Sequence, residues 1–460
     1  MVRASLSIFI LWIIGAATLT LLCADLRRWN LPAKIGLSFG FGLVILTITL
    51  FILSLCGVKP TPWIGLAEAL LWFVIVISVR RGKLSDWLPP PDQQGASHRP
   101  GLGIPQGILV VFLIAIFVVV SAVSLLEPIV EWDVMAIWGL KAKVLLHEPI
   151  NTLPYFSDVS KAYSHLDYPL LWPFAIAWVW SCIGSPDLVK VKVLAPALLA
   201  SLLFLFFGLL RRKQNRSNAL FFTALLAGIP MLLTQTSRVM ADVPLAFFVL
   251  GAFVCGYFWL ESKHPDDLRI AGTFAIGMLF TKSEGIGLWF ILGTIFVIVI
   301  AAERQIKSLL PVGLWLGVVP VLVTLPWFIF RLGIPKVHED YGDRINPIYF
   351  LNNISRVREV LGRSLRYFLN WDDWLIFWPL ALLVFVLTLT HSLRRPVMFL
   401  FLGAVLPLLM YTYIYVVAPW NLEELMEVSA NRLLLQIAPL WVFLFAEQLH
   451  ARKLLPFNHS

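Results

Sequence analysis

Residues 107–145 read GILVVFLIAIFVVVSAVSLLEPIVEWDVMAIWGLKAKVL. The uncharged run 107–126 reaches the roughly 20 residues that a helix needs to cross a bilayer core. It opens into EWDVMAIWGLKAKVL (131–145), with two acids, two lysines and two tryptophans. In this segment Trp132, Ala136, Gly139 and Lys143 recur at helical spacing, and Lys141 falls about 80° round the helix from Asp133. The pattern predicts an amphipathic helix lying on the membrane with Asp133 at its start. A spanning helix that delivers an acid to the bilayer edge is the unit around which the rest of the chain is read.

The same oiliness runs through all 460 residues. The chain is 59% hydrophobic and 14% charged, with a mean hydropathy of +0.83. A soluble domain carries about 25% charged residues, so the expected class is an all-α polytopic membrane protein. The net charge of +9 sits in short loops between apolar runs, as topology signals do, and nucleic-acid binding is not expected from it. Cys23, Cys56, Cys182 and Cys255 lie in or beside apolar runs without CxxC spacing, which argues against a disulfide framework or a zinc site.

Apolar runs fall near 5–24, 35–56, 62–79, 105–126, 189–210, 218–236, 243–260, 268–281, 285–302, 309–330, 374–390, 397–417 and 431–449, about 13 transmembrane helices. The first is expected to remain as a helix, because no small-residue cleavage site follows it. The run at 268–281 is short and needs tilt, thinning or burial among neighbours. The loops LRRWNLPAK, VRRGKL, RRKQNR, ERQIK, HSLRRP and ARK are basic and all fall on one side, which is then the cytoplasm. For that parity to hold, YPLLWPFAIAWVWSCIG (168–184) cannot span. Its aromatics and prolines predict an interfacial or re-entrant helix at headgroup depth. The organisation that follows is an N-terminal three-helix extension (1–87), a Pro/Gly-rich cytoplasmic linker (88–104), a core (105–302) with a large outer loop (127–188) holding interfacial helices, and C-terminal helices (303–460) with a second outer loop (331–373).

Five polar groups then converge on the outer boundary. Asp133 has Glu131 on the other side of Trp132. Asp242 precedes Pro244 in SRVMADVPLAFF, Lys282 and Glu284 lie in LFTKSEGIG, His165 and Asp167 in SHLDYPLLWP, and Arg432 in ANRLLLQIAP. Each has a plainer reading. Asp133 and Asp242 suit helix N-termini, Lys141, Lys143 and Arg432 could snorkel to headgroups, and Lys282–Glu284 could be a solvated pair. Acids at membrane depth are costly and tend to be functional, and an arginine there can clamp a phosphate with two parallel hydrogen bonds.

In its order of motifs the chain resembles the GT-C superfamily of integral-membrane glycosyltransferases, which includes the protein O-mannosyltransferases, the lipid A aminoarabinose transferases and the oligosaccharyltransferases. WD at 132–133 follows the 105–126 run, YPLLWP stands where that family has an aromatic, proline-bearing segment, MADVPLAFF (240–248) places an acid before a new helix, and GMLFTKSEG matches a TK motif. SANRLLLQIAP is similar to an Arg-and-Pro helix of several members, while residues 1–104 match nothing in the family. The resemblance covers roughly 105–300 and implies a GT-C-like fold. It implies transfer of a hexosyl or pentosyl group, with inversion, from a polyprenyl-phosphate sugar to a glycan, lipid or protein acceptor on the outer face of the cell (inner) membrane. On it, Asp133 is the base or metal-proximal acid, with Asp242 in support and Glu131 as runner-up. Lys282 and Arg432 meet the donor phosphate, Glu284 orients one of them, and His165 and Asp167 contact sugar or acceptor. Lys141 joins the substrate-binding candidates. A divalent cation is left open, since two isolated acids make an incomplete coordination set. Two other classes compete: a transporter or lipid flippase with an outward-facing charged cavity, and a non-catalytic assembly subunit. A charged path at mid-membrane would favour the first of these, and dispersal of the acids would favour the second.

Overall fold

The computed structural model describes residues 1–80, 85–87, 103–335, 344–392 and 396–457, and among them there is helix but no strand. The linker expected at 88–104 lies outside the described residues except for its last two. Every apolar run of the sequence is helical over most of its length. In chain order the first helices are α1 (Val2–Leu22), α2 (Leu31–Leu55), α3 (Pro62–Arg80), α4 (Ile104–Leu126), α5 (Leu140–His147), α6 (Leu171–Ile183) and α7 (Leu194–Leu210). They are followed by α8 (Arg216–Ala227), α9 (Pro230–Ser237), α10 (Asp242–Ser262), α11 (Pro265–Thr281), α12 (Glu284–Ala302), α13 (Leu309–Val312) and α14 (Val319–Leu332). The last are α15 (Pro347–Asn352), α16 (Arg356–Phe368), α17 (Trp371–Trp374), α18 (Phe377–Ser392), α19 (Val397–Val417) and α20 (Leu422–Ala451).

Ten helical stretches among the described residues are long and apolar enough to cross a membrane, eleven if α8 and α9 are one span. This is a multi-pass membrane protein, with fewer clear spans than the 13 expected. The difference has three sources. The run 218–236 is bent by 64° between α8 and α9, because Pro230 opens α9 and holds Ile229 in extended backbone. The run 268–281 forms α11, which has 17 residues and is buried along nearly its whole length. The run 374–390 is likewise a shorter apolar helix.

The central element is α10, whose residues from Asp242 to Leu260 are all buried. It packs against α11 and α20, while α3 and α4 lie at the periphery with most of their surface outward. Helices α1 and α2 approach so closely that a Cβ on Gly15 would sit 1.6 Å from the Ser38 carbonyl oxygen, and one on Gly42 2.0 Å from that of Leu11. Small residues allow this contact, which in a membrane rests on van der Waals packing. Helix α2 then packs on α7, so the first two helices are seated directly on the core.

Charge divides the bundle into two ends. At one, Ala24 and Asp25 donate their backbone N–H groups to the buried Asp266 (2.8 Å each), Arg212 pairs with the buried Asp267 (2.6 Å), and Lys213 bridges Glu261 (2.6 Å) and Glu447 (2.9 Å). Two of the basic loops read as topology signals, LRRWNLPAK and RRKQNR, are therefore also tied to buried acids. At the other end lie the two long loops.

The first long loop corrects two expectations. Helix α6 has 13 residues, about 20 Å at 1.5 Å per residue, too short for a core of roughly 30 Å. Its aromatics are not headgroup anchors, however. Trp172, Phe174, Trp178 and Trp180 are buried in protein, and Trp178 Nε1 donates to the Ser7 carbonyl (3.1 Å). The segment after Asp133 is π-helical over Val134–Gly139 before becoming α5, and Lys141 is fully buried instead of snorkelling.

Candidate active site

Helix starts and turns at the loop end bring together side chains spread over some 300 residues of chain. Asp242 opens α10 after a turn in which Val239 adopts φ +62°, a left-handed conformation that strains a β-branched residue. Two contacts hold that turn: Val239 N–H donates to the Thr236 carbonyl (2.9 Å), and Val239 O accepts from Trp172 Nε1 (2.8 Å). The tryptophan of YPLLWP thus supports the backbone that aims Asp242.

Asp242 is wholly buried and accepts three hydrogen bonds. Lys282 Nζ and Gln436 Nε2 each donate to Oδ1 at 2.8 Å, and Arg432 Nε donates to Oδ2 at 3.0 Å. Arg432 turns its Nη1 to Asp133 Oδ2 at 2.5 Å. Lys282 reaches Glu284 Oε1 at 2.9 Å on its other side. The result is one chain of alternating charge: Asp133, Arg432, Asp242, Lys282, Glu284. Its interior is buried, with the Lys282 side chain 4% exposed, and its ends are open, with Asp133 at 27% and Glu284 at 26%. Three acids against two cations leave it one charge negative. Burial disfavours the charge on Lys282, but the carboxylates of Asp242 and Glu284 outweigh that effect and hold its pKa above the ordinary lysine value.

Other groups brace this chain. Tyr411 Oη donates to Gln436 Oε1 (3.0 Å), fixing the amide that faces Asp242. Asn431, next to Arg432, donates to Asp373 (2.5 Å) and accepts from Trp374 Nε1 (2.9 Å), which fastens the second long loop to the site. Gln436 lies four residues after Arg432 on one helix, a spacing that puts both on one face, so the sequence did carry a signal for it. Tyr411, Asp373 and Trp374 had no local signal, because only tertiary contact places them.

The remaining candidates lie apart from the chain. Glu131 pairs with Arg238 at 3.0 Å. Both line a cleft of about 350 Å³ with Glu127, Lys192, Thr234 and Ser237. Lys141 donates to the backbone carbonyl of His165 and sits over the rings of Trp138 and Tyr168. The His165 ring stacks on Tyr168 at 4.5 Å, and Asp167 pairs with Arg331 at 2.7 Å. Burial pushes the Lys141 ammonium down to about 7, with Asp167 opposing the shift. Among the described residues no three of His, Cys, Asp and Glu converge as a metal-ligand set. Both aspartates of the chain face Arg432 instead.

No family model matches this chain, and no curated protein matches it. Two solved chains do. One is ArnT from Cupriavidus metallidurans in the apo state, with TM-score 0.48 and 17% identity over 76% of this chain and 60% of that one. The other is the same protein bound to undecaprenyl phosphate, with TM-score 0.48 and 16% identity over 75% and 60%. ArnT is a lipid A aminoarabinose transferase of the GT-C kind. The present chain spans about three-fifths of its length.

Proposed function

We propose that the protein is a membrane glycosyltransferase that moves a sugar from a polyprenyl-phosphate donor to an acceptor at the loop end of the bundle. The observation that carries this reading is the convergence of Asp133, Asp242, Lys282 and Arg432, all drawn from separate segments, into one charged chain with Asp133 at one of its open ends. In the proposed reaction an acceptor hydroxyl attacks the anomeric carbon. Asp133 takes its proton, and the bond to the lipid phosphate breaks with its electron pair leaving on phosphate. A base placed in this way contributes about 10²–10⁴-fold. Arg432 and Lys282 supply positive charge to the departing phosphate, while Asp242 keeps both cations charged and aimed. The cleft beside Glu131 and Arg238 receives substrate; its 350 Å³ falls at the lower end of ligand-site volumes, roughly 300–1,000 Å³.

The basic loops favour the cytoplasm for the opposite end, which supports a site on the non-cytoplasmic face of the cell (inner) membrane. A lipid-borne donor suits a site at the bilayer boundary. The transport reading draws less support, because the ionic chain lies at helix ends and not along a mid-membrane path. The test is transfer of radiolabelled sugar from polyprenyl-phosphate donors in proteoliposomes, wild type against Asp133→Asn. Loss of transfer with retained folding supports the reading. Full activity in the variant ends the role given to Asp133.

A further inference from the structure

At the basic end, away from the ionic chain, a cleft of about 290 Å³ opens between the end of α10, the start of α11 and the start of the Ile306–Leu332 span. Lys263, Lys307, Ser308, Trp259 and Trp315 are among its walls. Lys263 ends α10 in a left-handed cap (φ +55°). This turn carries its ammonium over the Trp259 ring, 4.5 Å from the centroid. The Nζ is shielded, has no protein hydrogen-bond acceptor, and has Glu303 at 3.8 Å as its carboxylate neighbour. Arg269 lies over Trp315, 5.8 Å from the centroid, and Arg304 and Lys307 are exposed nearby. Asp266, in the first turn of α11, pairs with Arg269 (3.1 Å) as well as with the 24–25 backbone, and Asp267 pairs with Arg212. Against Lys263 and Lys307 the local acid is Glu303. Outside the cleft, Leu310 is 80% exposed and Leu314 46% on the adjoining spanning segment.

We propose that this cleft binds the headgroup of an anionic phospholipid in the leaflet at the basic end. The lysines and Ser308 meet the phosphate, the tryptophans wall it, and the acyl chains run down the exposed leucines. Basic clefts between spanning helices on this side suit such headgroups. A free phosphate would use the same polar groups but would leave the apolar rim uncovered, so the lipid is the occupant favoured.

The experiment is native mass spectrometry of the full chain in detergent, titrated separately with phosphatidylglycerol, phosphatidylcholine and inorganic phosphate. Phosphatidylglycerol is expected to be retained and phosphatidylcholine not. Each lysine near an anionic surface contributes about 1 kcal/mol, so Lys263→Gln with Lys307→Gln is expected to weaken retention roughly 30-fold. Ser308→Glu keeps both lysines and is expected to produce a similar loss by placing a carboxylate in the cleft. Lys190→Gln, at the other end, is expected to change nothing. Equal retention of phosphatidylcholine, unchanged affinity in the lysine and Ser308 variants, or binding of inorganic phosphate without binding of the lipid would each overturn the proposal.

Discussion

Replacing Asp242 by Asn tests whether the buried chain is ionic in the way its geometry indicates. Asp242 is fully buried and is the shared partner of Lys282 (2.8 Å) and Arg432 (3.0 Å). An asparagine keeps the shape but cannot balance two cations, and its amide hydrogens point at donors. Removing one partner of a buried pair costs about 3–5 kcal/mol, mostly because the charge left behind is unpaired. Asp133 contacts the same arginine but is partly solvated, so Asp133→Asn is expected to cost about 1 kcal/mol. The two substitutions should therefore separate: Asp242→Asn lowers stability first, and Asp133→Asn lowers transfer while the fold stands. Equilibrium unfolding in mixed micelles, followed by tryptophan fluorescence, measures the first quantity, and sugar transfer the second. A double-mutant cycle of Asp242→Asn with Arg432→Gln is expected to show coupling of a few kcal/mol. If Asp242→Asn unfolds like wild type, or if Asp133→Asn is the more destabilising of the two, the alternating chain is not what holds this end together.

Lys141 should make stability depend on pH. Its folded pKa, about 7, lies below the ordinary lysine value of 10.5. The unfolded state therefore binds more protons between those values, and stability rises with pH across them. The gain from pH 7 to pH 9 is about 2 kcal/mol, and unfolding curves of Lys141→Met should lack it. Gly42→Leu should prevent assembly of α1 on α2, since even a Cβ there lies 2.0 Å from the Leu11 carbonyl oxygen; size-exclusion profiles of the solubilised variant should show loss of the monodisperse peak. Glu131→Gln should retain transfer within about tenfold of wild type, because Glu131 pairs with Arg238 and stands outside the ionic chain; a loss as deep as that of Asp133→Asn in the same transfer assay would move the base to Glu131.

The sequence by itself determined the helical membrane class, the placement of the apolar runs and the basic loops between them, because bilayer thickness and charge bias act on short windows of chain. It also marked Asp133, Asp242, Lys282, Glu284 and Arg432, since an ionisable residue at the end of an apolar run stands out locally. Two kinds of information were out of its reach. Whether an aromatic faces lipid or protein is not written in the residue, so the tryptophans of 172–180 looked like headgroup anchors and prove to be core. Nor does an isolated lysine say how deep it lies: Lys141, placed at the surface by helical periodicity, is buried over the Trp138 and Tyr168 rings, just after a π-helical stretch. Only the tertiary structure joined the five charges into one chain and added Gln436, Tyr411 and the strained turn at Val239. A hydrogen bond needs its partners within about 3 Å, and for residues 299 positions apart, such as Asp133 and Arg432, packing of the whole bundle sets that distance.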